Sequence, residues 1–172
     1  MARSGVKITG KGMAGVASNL RLLSATELLV GFPEDTAERE PEEGEAEGVN
    51  NPTLAYIHDN GAPEAGIPAR PFMEPALESI KSKVQESFKK IAKNVLDGAG
   101  ADAVERGYHH IGLTAQLAIQ NKINEGIPPP LSPRTLAARR KRGRTGTKPL
   151  VDTAGMRNSA SYAIRAKKKR SR

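Results

Sequence analysis

The sequence predicts an α+β fold: a small, mainly antiparallel sheet with helices packed on it, one of them long, together with an α-helical hairpin. Three observations predict it. Leu77, Ile80, Val84, Phe88, Ile91 and Val95 recur at spacings of three and four residues, which places them on one continuous helical stripe. Val104, Tyr108, Ile111, Ala115, Ile119 and Ile123 form a second such stripe. Short runs of strand-forming residues lie near both ends of the chain, at 27–32 and 160–166, where they can complete one sheet.

The elements follow in order. Residues 6–9 suit a short strand, and 12–23 carry Met13, Val16, Ala17, Leu20 and Leu23 at helical spacing. The run 27–32 reads as a strand that stops at Pro33, and 33–51 form an acidic loop. Asn51 is placed to cap a short helix over 52–60, with Pro52 at its first position and Gly61 past its end. Ile67-Pro68-Ala69-Arg70-Pro71-Phe72 reads as a strand-like run pinned by proline, which fixes its own φ and pushes the preceding residue toward extended geometry. The long helix covers 74–97, with Lys81, Lys83, Lys89, Lys90 and Lys93 off its stripe and Gly98 as its stop. Gly98-Ala99-Gly100 joins it to a second helix over 102–125, ended by Gly126, and the pair makes the hairpin.

Pro128, Pro129 and Pro130 then forbid helix, and Ser132-Pro133 starts another, over 135–142. Residues 143–147 read as a Gly/Thr loop and 148–153 as extended, because Pro149 biases Lys148 away from helix. Asp152 or Thr153 is placed to cap a turn over 156–159. Tyr162 and Ile164 alternate along the last strand, and 167–172 form a basic tail. Together these elements make a single domain over 1–172.

Composition narrows the function classes. The chain has 172 residues, three Phe, three Tyr and no Trp, so its core rests on aliphatic side chains. It has no cysteine, which excludes a disulfide framework and any thiolate metal site. No apolar leader opens the chain and no run is long enough to cross a bilayer, so the chain is expected to be soluble, made in the cytoplasm and away from membranes. The net charge of +8 conceals a division. Residues 34–47 hold eight acids and one base, Arg39. Residues 134–172 hold fourteen Lys/Arg and one acid, Asp152. Taking these from the chain totals of 27 and 19 leaves 13 bases and 18 acids in 1–133, so one part carries −5 and the other +13.

Catalytic patterns are weak. Gly10, Gly12 and Gly15 formally match a dinucleotide-binding fingerprint, with Glu34 about twenty residues on. The preceding run 6–9 is too short and polar for a buried parallel strand, so a flexible entry to the first helix is the better reading. His109 and His110 are adjacent on a helix and point about 100° apart, so they do not readily share a metal. His58 sits beside Asp59 in the short helix, and Glu105 is a helix-face neighbour of His109. No catalytic constellation emerges, and an enzyme, a metal and a cofactor are not expected.

The basic region is the strongest generic signal. Arg139, Arg140, Lys141, Arg142 and Arg144, with the tail 167–172, suit phosphate neutralisation, although no aromatic residues are interleaved for base stacking. One reading is therefore sequence-independent nucleic-acid binding. Another is contact with an acidic protein surface, including 34–47 of a neighbouring copy, which would let copies associate head to tail in a ring.

Two blocks carry more specific information. The first is Leu54-Ala-Tyr-Ile-His-Asp-Asn-Gly61 followed by Ile67-Pro-Ala-Arg-Pro-Phe-Met-Glu-Pro-Ala-Leu77. The second is Pro130-Leu-Ser-Pro-Arg-Thr-Leu-Ala137 followed by Lys148-Pro-Leu-Val-Asp-Thr-Ala-Gly-Met-Arg-Asn-Ser159. In this order they resemble the neck and tail-completion proteins of tailed bacteriophages, a family of virion morphogenesis and minor tail components. The resemblance covers residues 16–166. Ala154-Gly155-Met156 stands where that family has Gly-x-Leu, which shifts the expected tight turn by one residue, and the acidic insertion after Phe32 is unusual for it.

The resemblance implies a structural protein of the virion neck or tail. Such proteins form rings, commonly hexameric, that complete or terminate the tail and join it to the head connector, with DNA passing through the lumen. The implied partners are further copies of the chain, the tail tube protein and the connector or adaptor proteins. On this reading the run Ile67 to Phe72 is a rigid elbow that fixes the exit of the long helix. Arg70 makes a charge-assisted bond to a carboxylate or to carbonyl ends, or staples its own subunit, and Phe72 enters the core. Arg139, Arg140, Arg142, Arg144, Asp152 and Arg157 are the further candidate interaction residues.

Overall fold

The computed structural model describes residues 10–33, 50–152 and 154–167. The strand expected at 6–9, nearly all of the acidic loop, Thr153 and the end of the basic tail lie outside the described residues. The elements are α1 (Gly10–Ala25), β1 (Thr26–Gly31), α2 (Asn51–Asn60), a 3-10 turn (Pro63–Ala65), α3 (Met73–Leu96), α4 (Ala101–Glu125), α5 (Pro133–Lys141), α6 (Gly155–Ser159) and β2 (Ser161–Ala166). β1 and β2 pair as a two-stranded antiparallel sheet, and the fold is α+β with packed helices. Among the described residues no helix is long and apolar enough to cross a membrane.

The chain forms two compact units. Described residues within Met1–Leu28, Ser82–Ile111 and Ile164–Arg172 make the first, and those within Leu29–Lys81 and Gly112–Ala163 the second.

The first unit holds the helical hairpin. Ile91 and Val95 of α3 meet Val104, Tyr108 and Ile111 of α4, with Leu23, Leu28, Val84 and Ile164 packed around them. The two helices approach closely at Gly107, where a Cβ would run into the Ile91 side chain. Phe88 lies edge-on to Tyr108 at 5.7 Å between ring centres. The Tyr108 hydroxyl donates to the Leu23 carbonyl at 3.0 Å, and Asn19 Nδ2 donates to the Ala99 carbonyl at 2.5 Å, so α1 is tied to the hairpin by polar bonds. Met13 and Leu20 of α1 are exposed, while Val16 and Leu23 are half-buried. Gly10, Gly12 and Gly15 lie within α1 itself, not in a loop ahead of it, so they form no phosphate-cradling turn. His109 Nε2 sits 3.8 Å from Glu105 Oε1, the expected helix-face pair.

The second unit has the aromatic core. Phe72 is fully buried among Ala55, Ala76, Ile119, Ile123, Ile127, Met156 and Ala160, with Val30, Phe32 and Leu150 against them. Burying such a side chain is worth about 1.5–3 kcal/mol. Phe32 meets Phe72 edge-on, 5.8 Å between centres and 87° between planes. On α3 the buried positions are Ala76, Ile80, Ile91 and Val95, whereas Leu77 and Phe88 of the expected stripe lie at its exposed margin.

Four local expectations are corrected. The cap of α2 is Asn50, whose extended backbone lets its side chain accept the Thr53 N–H at 2.9 Å; Asn51 is the first helical residue and is buried. The run Ile67 to Phe72 is not a strand. Only Ile67 pairs, as a single antiparallel bridge with Ala62. Residues 148–152 are not extended but turned, with Leu150 at φ 63°. Asp152 does not cap α6, which starts from Ala154 with no side-chain cap; its carboxylate is held by two arginines instead.

Candidate functional site

The two sequence blocks meet within the second unit. The first begins where α2 ends. Gly61 follows at φ 80°, and a Cβ there would lie 2.7 Å from the Ala69 amide nitrogen, so the returning strand of the loop can pass only over glycine. Ala62 and Ile67 exchange backbone bonds of 2.8 and 3.0 Å across the 3-10 turn. The Arg70 N–H then donates to the His58 carbonyl at 2.8 Å, which ties the loop back to α2.

Asp59 completes the elbow. One carboxylate oxygen accepts the Phe72 N–H at 2.7 Å and the Met73 N–H at 3.0 Å. These amides open α3 and have no intrahelical partner, so the last turn of α2 caps the first turn of the long helix. Reading the sequence missed Asp59, because its partners lie 13 and 14 residues away and no local spacing announces them.

Arg70 is 5% exposed. Its Nε donates to the Pro129 carbonyl at 3.0 Å and its Nη2 to the Pro130 carbonyl at 3.4 Å. It is thus an intramolecular staple onto carbonyls, one of the roles the sequence allowed. Burial pulls its pKa below the usual guanidinium value. Among the described residues no carboxylate pairs with it.

The second block is built around another buried arginine. Ser132 caps α5 by accepting the Thr135 N–H at 3.1 Å, as its position before Pro133 predicts. From the far end of α5, Arg139, also 5% exposed, sends Nη1 to the carbonyls of Gly146, Lys148 and Val151 at 2.9, 3.0 and 3.1 Å. Its Nε lies 3.4 Å from Asp152 Oδ1, and Arg144 Nη1 lies 2.9 Å from Asp152 Oδ2. One guanidinium gathering three carbonyls is what bends 146–151 away from the extended path. Arg157 Nη1 donates to Asn124 Oδ1 at 3.1 Å, and its Nε and Nη2 to Asn158.

The basic cluster therefore divides. Arg139 and Arg144 are engaged inside the unit, whereas Arg140 and Arg142 are exposed at the end of α5. The sequence showed a run of like charges and could not show that one member turns inward.

A cleft of ≈ 640 Å³ opens between the two blocks. His58, Asn60, Arg70, Pro130, Ser132 and Thr135 contribute to its walls. The buried His58 Nδ1 has no hydrogen-bond partner among the described residues. Burial first, and the Arg70 charge second, hold the His58 pKa below the usual histidine value.

No family model matches the chain. No solved structure matches it. It is similar to an uncharacterized protein of Methanocaldococcus jannaschii, 35% identical over 46 residues, which is 27% of this chain and 34% of that protein. The chain thus spans about a third of the length of the curated relative it matches.

Proposed function

We propose that this chain is a structural protein of a bacteriophage head-to-tail junction, forming a ring, hexameric by its resemblance to the neck and tail-completion family, that completes the tail and joins it to the head connector. Its partners are then further copies of itself, the tail tube protein and the connector or adaptor proteins, with packaged DNA in the lumen, and its location is the virion. The observation that carries this reading is how the two resembling blocks spend their polar side chains. Asp59, Arg70, Ser132 and Arg139 all bond to backbone groups, and Asp152 to two arginines. Such bonds fix backbone shape, which a ring subunit needs at its interfaces.

Each unit also leaves apolar side chains for contact. Leu96 and Met13 of the first are 62% and 65% exposed, and Tyr56, Leu113 and Leu117 of the second are 69%, 49% and 48% exposed. The engagement of Arg139 and Arg144 within the fold weakens the alternative of a nucleic-acid binder built on this cluster.

Light scattering on the purified chain, alone and with tail tubes, tests the reading, together with immunolabelling of assembled particles. A ring mass with label at the neck is the expected result. A chain that stays monomeric with tubes present and is absent from particles overturns it.

A further inference from the structure

We propose that the cleft between α2 and α5 is a carboxylate-binding site, and that its occupant is the acidic segment 34–47 of a second copy of this chain. The inference rests on the ring reading above and names the contact by which one subunit holds the next.

Four features of the cleft point to an anion. Arg70 lines it, is 5% exposed, and is satisfied only by two carbonyls, with Nη1 bonded to nothing among the described residues. A cation taken out of water without an anion is costly, and a carboxylate removes that cost. His58 lines the same wall, and its buried Nδ1 has no hydrogen-bond partner among the described residues. Ser132 and Thr135, the cap and first turn of the nine-residue helix α5, line the opposite side and present the positive end of its dipole. Asp59, in the last turn of α2, is already committed to two amides.

The occupant follows from charge and size. At ≈ 640 Å³ the cleft is larger than a lone carboxylate requires and suits a stretch of peptide. Residues 34–47 supply eight acids against one base. A site on one subunit that takes a segment of the next is a heterologous contact, and such contacts make a ring where the rotation between copies closes.

The test uses a fluorescent peptide of residues 34–47 and the full chain with those eight acids changed to Gln, so that no internal copy competes. Anisotropy should show binding at low salt. Binding should weaken about tenfold or more with a peptide whose acids are amides, and likewise in a Thr135→Glu variant. That variant places a negative charge at the rim while creating a Ser-x-x-Glu capping box, so α5 is kept. Failure of the peptide to bind, or equal binding to Thr135→Glu, overturns the site.

Mixing assigns the source. The Gln chain keeps its cleft but lacks the segment, and Thr135→Glu keeps the segment but lacks the cleft. Each alone should fail to assemble, and an equimolar mixture should give dimers by light scattering. Peptide binding without dimers in the mixture overturns the second-copy occupant in favour of the same chain. Wild-type rings without peptide binding sink this inference alone, whereas peptide binding by a wild-type chain that never assembles sinks the ring reading and the second-copy occupant together.

Discussion

Ala154 stands at φ 66°, in the left-handed region, at the start of α6. A Cβ in that conformation costs roughly 1–2 kcal/mol, and glycine avoids the cost. The tight turn is therefore at Ala154 itself and is not shifted by one residue. Ala154→Gly is expected to stabilise the chain by about 1 kcal/mol, read as a higher urea midpoint with unchanged slope. A lower midpoint would show that this turn relaxes around alanine. Leu150, at φ 63°, is not the same case, because its side chain packs on the core and glycine would lose that packing. His58 gives a pH signature. Its folded pKa lies below the ordinary histidine value of about 6.5, so the folded protein favours the neutral ring. That contribution is complete above pH ~6.5 and is lost as pH falls toward the folded value, because the unfolded chain then binds the proton more readily. Melting temperature should drop between pH 7 and pH 5, by less in His58→Gln; equal slopes in the two proteins would remove His58 as the cause.

At the scale of elements, the long helix depends on a residue of another helix. Asp59→Ala leaves the Phe72 and Met73 amides without their acceptor and should cost about 1–2 kcal/mol by chemical denaturation, with Asp59→Asn keeping part of it. No loss in the alanine variant would mean that water replaces the carboxylate. Helices and strands were legible because their signals are periodic and local: the spacing of Ile80, Ile91 and Val95 on α3, the Ser132-Pro133 start of α5, and the alternation in β2. What the sequence hid is what joins elements. Arg70 reaches carbonyls 59 and 60 residues away, and nothing near it in sequence marks them. Pro149 does bias its neighbour against helix, but Arg139 decides the path of 146–151 by collecting its carbonyls. Asp152 had the right chemistry for a cap and the wrong neighbours, since two guanidiniums lie within 3.4 Å. Of the candidate site, the residues of the two blocks are visible in the sequence, whereas the cleft lined by both exists only once they meet.

At the scale of the whole molecule, both units keep exposed apolar side chains, which on the proposed ring reading would be covered by neighbouring copies. Ring formation would then be linked to folding, and melting temperature should rise with protein concentration. A melting temperature independent of concentration would separate assembly from stability. The two buried arginines also differ in when they can act. Arg139 finds its acceptors 7, 9 and 12 residues ahead, so that knot can tie as soon as its own segment is made. Arg70 must wait for Pro129 and Pro130, and closing the longer loop costs roughly 1–2 kcal/mol more in chain entropy. A nascent chain still short of residue 129 has the arginine but neither of its acceptors, and Ser132 and Thr135 are still to come. The order of synthesis thus delays the cleft until residues 129–135 have been made, so that on the proposed ring reading a shorter chain would have no site to offer its neighbour.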